Sequence, residues 1–235
     1  MEPGTAPVKG ARLLELVAVM DRLRSPGGCP WDAAQTHESL LPYLLEEAYE
    51  TVEAIETDDL VGLKEELGDL LLQVVFHARV GEEHDQQPWS VDDVAGGIVD
   101  KLVSRHPHVF ATDATDATDA TDASALRSAD EVEASWEALK RVEKGRTSAV
   151  DGVPLAQPAL ALATKLIVRA AKAGVAVELP GAALPGDEPL TASSAGTLLL
   201  ALVVRMQADG VDPEAALRAA ARDYADAVRA AEKAG

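Results

Sequence analysis

The sequence predicts an all-α protein, a helical bundle of the kind built from amphipathic helices, followed by a diverged second helical copy. Three observations carry this. Alanine supplies 43 of the 235 residues while Phe, Trp and Tyr together number eight, a composition that favours helix and leaves strand propensity low. Apolar residues recur at helical spacing along most of the chain, and period-two alternation is nearly absent. The length allows one large domain or two small ones and suffices to bury a core.

Taken in order, Leu13, Leu14, Val17, Met20 and Leu23 form the stripe of a first helix, which Ser25-Pro26-Gly27-Gly28-Cys29-Pro30 breaks. Leu41, Leu44, Leu45, Ala48, Val52 and Ile55 mark a second. Thr57-Asp58-Asp59 before Leu60 offers an N-cap for a third that runs to about Val80. A fourth follows Ser90, carries Val94, Ile98 and Leu102, and ends at Pro107. Between Ala111 and Ala123 the tripeptide Thr-Asp-Ala repeats about four times with no apolar face of either period, so 111–127 reads as a disordered insertion. The second half follows the same order, either as a diverged duplication or because alanine-rich helices resemble one another by composition: Ala159 to Ala173 stops at Gly174, Ala195–Leu200 resembles Leu67–Leu72, and a last helix spans about Pro213 to Glu232. Residues 1–110 are expected to form the first helical bundle and 150–235 the second.

Lys and Arg total 21 against 40 Asp and Glu, for a net charge of −19. The acidity sits early: residues 1–110 hold 21 acidic and 8 basic groups, residues 151–235 hold 10 and 8. A binder of nucleic-acid backbone is disfavoured, because phosphate neutralisation needs clustered cations. Cys29 is the only cysteine, which excludes an intrachain disulfide and a cysteine-built metal site. No basic leader with an apolar stretch opens the chain and nowhere do 18 apolar residues run without charge, so the reading is a soluble cytoplasmic protein without a membrane partner.

On a helical wheel Glu46, Glu47, Glu50 and Glu53 share one arc of the second helix, with Glu47 next to the apolar border. Such an arc alone is an ordinary solvated face. The third helix differs, since Glu66 and Asp69 fall three apart on a face flanked by Leu63, Leu70 and Phe76. Carboxylates pointing inward need cations or must protonate. Hard oxygen ligands on two facing helices suit Mg²⁺, with Mn²⁺ as a substitute. A di-iron carboxylate bundle calls for Glu-x-x-His pairs, and no histidine here has Glu three residues before it. His84-Asp85 and His106-Pro107-His108 read as a chance dipeptide and a helix stop.

Cys29-Pro30-Trp31-Asp32, Gln35-Thr36-His37, Glu46-Glu47-x-x-Glu50 and then Glu66-x-x-Asp69 closely resemble the MazG-type nucleoside triphosphate pyrophosphohydrolases. Lys101 to Phe110 and Trp136 to Lys140 match the same pattern, so the resemblance covers roughly residues 10–145. It implies Glu47, Glu50, Glu66 and Asp69 as Mg²⁺ ligands, Lys101 and Arg105 near the triphosphate, and Trp136 and Lys140 near base and phosphate. Residues 128–149 would then be a helix completing the first domain's site. Lys101 with Arg105, and Trp136 with Lys140, are each one helical turn apart, which suits a shared target.

The implied reaction is attack of water on the α-phosphorus of a nucleoside triphosphate, releasing monophosphate and pyrophosphate in nucleotide-pool housecleaning, with Glu46 or Glu47 orienting or deprotonating the water. Alanine-rich, aromatic-poor helices bury little area each, so a homodimer is expected. The second copy departs from the pattern: Ser194 and Thr197 stand where Glu66 and Asp69 would be, and Asp223 and Ala227 where Lys101 and Arg105 would be. That predicts a degenerate domain without a metal site. The rival reading is a catalytically silent helical scaffold or regulatory nucleotide-binding protein.

Overall fold

The computed structural model describes residues 9–110, 128, 147–178 and 189–234. Among them the chain forms nine helices and no strand, the all-α architecture that composition and spacing predict. It divides into two compact units, Met1–Ser128 and Ala129–Gly235. The Thr-Asp-Ala run and nearly all of the helix expected over 128–149 lie outside the described residues.

In the first unit α1 spans Ala11–Arg24 and ends where the Ser25 N–H donates back to the Asp21 carbonyl at 3.0 Å. The turn after it is tight. A Cβ on Gly28 would sit 2.2 Å from the Leu23 carbonyl oxygen, so only glycine fits there. A short helix α2, Pro30–Ala34, starts with proline in its first turn, where the sequence reading has only a break. Helix α3, His37–Glu56, opens earlier than its apolar stripe. Thr36 and Ser39 exchange side-chain-to-backbone bonds in a capping box, which fixes the start four residues before Leu41.

Asp58 takes a left-handed conformation, φ 57°, and the Asp59 carboxylate accepts from the Val61 and Gly62 N–H groups at 3.1 and 3.0 Å. This cap starts α4, Leu60–Gly81, as the spacing predicts. So short a connection folds α4 back antiparallel on α3, the most extensive helix pairing among the described residues. Met20, Leu40, Val75 and Phe76 form the buried core, walled by Leu16, Val17, Leu23, Leu72, Val80 and Val91.

The apolar arc of α3 does not bury as one face. Leu40, Thr51 and Ala54 are buried, whereas Leu41, Leu45 and Ile55 are exposed. One line of the arc packs inside the chain and the other leaves an apolar surface, continued on α4 by Leu67, Leu71 and Val74. A Ser90/Asp93 capping box starts α5, Val91–Arg105, which packs on α4. A single turn, α6, Pro107–Phe110, follows the helix stop.

The second unit contains α7, Ala159–Lys172, α8, Ala192–Ala208, and α9, Pro213–Ala234, which pack pairwise around Ala201 and Val203. Gly174, at φ 67°, supplies the left-handed residue that closes α7. Ser194 lies in the first turn of α8 and is consumed by a capping box with Thr191. Glu66, its counterpart in the first half, stands in the second turn of α4.

Candidate metal centre

Glu47 of α3 and Glu66 and Asp69 of α4 converge. Each offers a carboxylate oxygen, and the three oxygens lie within 4.8 Å of one another. All three side chains are half-buried. The convergence follows from helix geometry: Glu66 and Asp69 stand three apart, hence on one face of α4, and that face meets α3 one turn before Glu50.

The electrostatics of the cluster are one-sided. Burial pushes the Glu47 carboxyl above its ordinary range, and the charges of Asp69, Glu50, Glu66 and Glu46 push it further. Glu66 is raised by burial first, then by Glu50, Asp69 and Glu65, and by a hydrogen bond with the Glu50 carboxyl. Among the described residues, every charged group acting on the two is acidic. Like charges so close hold protons unless a cation replaces them, and a set of hard oxygens from two helices is what Mg²⁺ or Mn²⁺ takes.

The other predicted residues are placed as follows. Glu46 is exposed beside Glu47, and Glu50 is exposed but bonded to Glu66. Lys101 is exposed and Arg105 half-buried, one turn apart on α5. Lys101 makes no ion pair among the described residues. Trp136 and Lys140 lie outside the described residues. His84 is a turn residue, its Nδ1 accepting from the Gln86 and Gln87 N–H groups at 3.3 and 3.2 Å. His106 binds the Leu102 carbonyl through Nδ1 at 2.6 Å, which serves the end of α5.

Two arrangements escape the sequence reading. The Arg24 side chain, only 3% exposed, donates to both Glu83 carboxylate oxygens, at 3.2 and 2.7 Å. It also donates to the carbonyls of Gln35, at 3.1 Å, and Asp32, and its guanidinium lies 5.6 Å from the Phe76 ring centre. The Arg24 bonds and charge first, and then Arg79, hold the Glu83 carboxyl below its ordinary range. The second arrangement is a contact between His37 and His77. His37 stands in the Gln35-Thr36-His37 motif, the one signal in the sequence that pointed to it.

The MazG nucleotide pyrophosphohydrolase domain matches residues 35–110, which hold α3 to α6 and every carboxylate of the cluster. A Thermotoga maritima protein named nucleoside triphosphate pyrophosphohydrolase/pyrophosphatase MazG is 36% identical over 93% of this chain and 85% of its own length. The chain belongs to the MazG family. A Mycobacterium tuberculosis member named nucleoside triphosphate pyrophosphohydrolase is 44% identical over 96% of the chain, which spans only 60% of that relative's length. An uncharacterized Streptomyces cacaoi protein is 51% identical over 98% of the chain and 86% of its own length. The MazG resemblance read from the motifs therefore holds, as does the all-α fold.

Proposed function

We propose that this MazG-family chain hydrolyses nucleoside triphosphates between the α- and β-phosphorus, giving monophosphate and pyrophosphate, in a reaction dependent on Mg²⁺, with Mn²⁺ as substitute. The observation that carries the reading is the meeting of Glu47, Glu66 and Asp69 across the α3–α4 hairpin. The names of the T. maritima and M. tuberculosis relatives support the activity.

Glu47, Glu50, Glu66 and Asp69 would hold the metal, which when bound polarises phosphate oxygens and lowers the pKa of water. Glu46 or Glu47 orients the attacking water. Lys101 and Arg105, a turn apart on α5, take the triphosphate charge, while Trp136 and Lys140 reach base and phosphate. The exposed apolar line Leu41, Leu45 and Ile55 supports a homodimer. No described helix is long and apolar enough to cross a membrane. The role in this reading is cytoplasmic nucleotide-pool housecleaning, with no nucleic-acid partner. In this reading residues 1–110 supply the carboxylates, 128–149 supply Trp136 and Lys140, and 150–235 serve packing.

Pyrophosphate release is measured from the common ribo- and deoxynucleoside triphosphates, with Mg²⁺ and with chelator. Metal-dependent release of equal monophosphate and pyrophosphate is expected. No release from any of them, with the protein folded and Mg²⁺ in excess, would leave a silent scaffold or a regulatory nucleotide binder. Sedimentation of an active monomer at micromolar concentration would end the dimer reading.

A further inference from the structure

His37 stands in the first turn of α3 and His77 near the end of α4. Their Nδ1 atoms are 2.8 Å apart, and the rings lie 7° from parallel with centres 5.1 Å apart. The Trp89 ring, from the segment before α5, also stacks on His37 at 5.8 Å and 7°. His77 Nε2 is buried and has no hydrogen-bond partner among the described residues. The groups nearby are few. Glu38 adjoins His37 on α3, and its carboxyl is held low first by a hydrogen bond to its own backbone and then by one to the Thr36 side chain. Gln73 and Trp89, uncharged, come from α4 and the segment before α5.

An Nδ1–Nδ1 hydrogen bond contains one proton, and the buried Nε2 decides where it sits. With the proton on His77 Nδ1, Nε2 is a bare lone pair. With the proton on His37 Nδ1, His77 must carry a buried N–H that donates to nothing, and orphaned donors are the rarer and costlier case. Gln73 Oε1, one turn earlier on α4, is buried without a partner too. Two acceptors cannot bond to each other, so the first arrangement accounts for both orphans. It makes His77 the Nδ1–H tautomer and His37 the Nε2–H tautomer.

We propose that His37 and His77 are positioning residues for the carboxylate centre. Their single shared proton ties α3 to α4 in the register that brings Glu47 against Glu66 and Asp69, and one further proton releases the tie. The added proton, taken from solvent, goes to His77 Nε2: the Nδ1–H donor stays in place, but the cation is buried without a partner, and the contact opens to hydrate it. Burial first, and then the His37 charge, hold His77 below its ordinary value, so the tie persists until the solution is acidic. The functional consequence rests on reading the carboxylates as metal ligands; the tie itself does not.

Three measurements on the full chain test this. Long-range proton–nitrogen correlation of the histidine rings at about pH 7.5 should give the two tautomers above. Fast exchange between tautomers, or two rings titrating independently near the ordinary value, overturns the proposal. Amide hydrogen exchange along Leu44–Val52 should accelerate about tenfold in His37→Phe, which keeps a ring against Trp89 but removes the acceptor. His77→Asn keeps a donor near the Nδ1 position and binds no proton. It should exchange like the wild type at about pH 7.5 and, unlike the wild type, should not accelerate at about pH 5.5. Wild-type exchange in His37→Phe, or His77→Asn as fast as His37→Phe at both pH values, means the rings only pack and sinks the idea. Mn²⁺ affinity, read by electron paramagnetic resonance, should fall about tenfold in His37→Phe. Absence of Mn²⁺ binding in the wild type would remove the metal reading, and the tautomer and exchange data would still decide the tie.

Discussion

Arg24→Ala tests how the first unit holds its site-bearing helices. The wild-type guanidinium makes four hydrogen bonds, two to Glu83 and one each to the Asp32 and Gln35 carbonyls. Glu83 is 44% exposed, keeps its bond to Arg79 at 2.9 Å and regains water on the side that Arg24 leaves, so this part of the loss is about 1 kcal/mol, a surface ion pair at its upper end. The two carbonyls lose a charged donor in a part-buried position, at about 1 kcal/mol each. The space left against Phe76 adds about 1 kcal/mol more. The sum is about 3 to 4 kcal/mol.

For a unit of this size about 1 kcal/mol moves the melting midpoint by about 4–8 °C. Thermal melts followed by far-ultraviolet circular dichroism near pH 7 should therefore show a drop above about 10 °C. Arg12→Ala is the control. It removes an exposed pair with Glu15, its own side chain 90% exposed, and should leave the midpoint in place. Glu83 adds a pH signature. Its folded carboxyl lies below the ordinary value, so its stabilisation is present above the unfolded carboxylate range and is lost as pH falls through the folded value. The gap between Arg24→Ala and wild type should accordingly narrow below about pH 4. An Arg24→Ala midpoint no lower than that of Arg12→Ala would refute the reasoning.

Asp69→Asn keeps shape and removes one charge of the cluster; turnover should drop at least about a hundredfold while helical content stays, and activity within about threefold of wild type would remove Asp69 from the site. Gly81→Ala places a methyl 2.4 Å from the Trp89 ring, and the displaced indole should cost about 1–3 kcal/mol in a denaturant titration and shift the tryptophan emission. Glu47 and Glu66 bind protons more tightly than ordinary carboxylates, so Mn²⁺ affinity should already weaken between about pH 7 and about pH 5; a flat affinity across that interval contradicts the shared site.

The parts of the fold that are legible in the sequence are those set by neighbours in the chain. Asp59 caps α4 through its own carboxylate two and three residues on, so Thr57-Asp58-Asp59 announces the helix. The start of α3 is hidden, because its first turn is polar and Pro42 lies inside the helix. Periodicity also names the apolar residues of α3 without naming what covers them: its stripe starts at Leu41, which is exposed, and leaves out Leu40, which is buried. In the site, the three-residue step of Glu66 and Asp69 is local and readable. The partners of His37 and Arg24 stand 40 and 59 residues away, where no spacing rule reaches.

The hairpin turn joins these levels. Glu47 lies ten residues before Thr57, and Asp69 ten residues after Asp59; His37 lies twenty before and His77 eighteen after. Both contacts are therefore rungs of one antiparallel ladder that starts at the turn. At about 1.5 Å per residue they are separated by about 15 Å along α3. An added residue in the turn would rotate one helix by about 100° against the other and pull both rungs apart together. The left-handed Asp58 and the Asp59 cap thus belong to the carboxylate centre as much as its acidic side chains do, because they decide which faces of two acidic helices meet. A protein can tolerate several carboxylates crowding together only if such a frame holds them against their own repulsion. Here the frame is the turn at one end and the His37–His77 contact at the other.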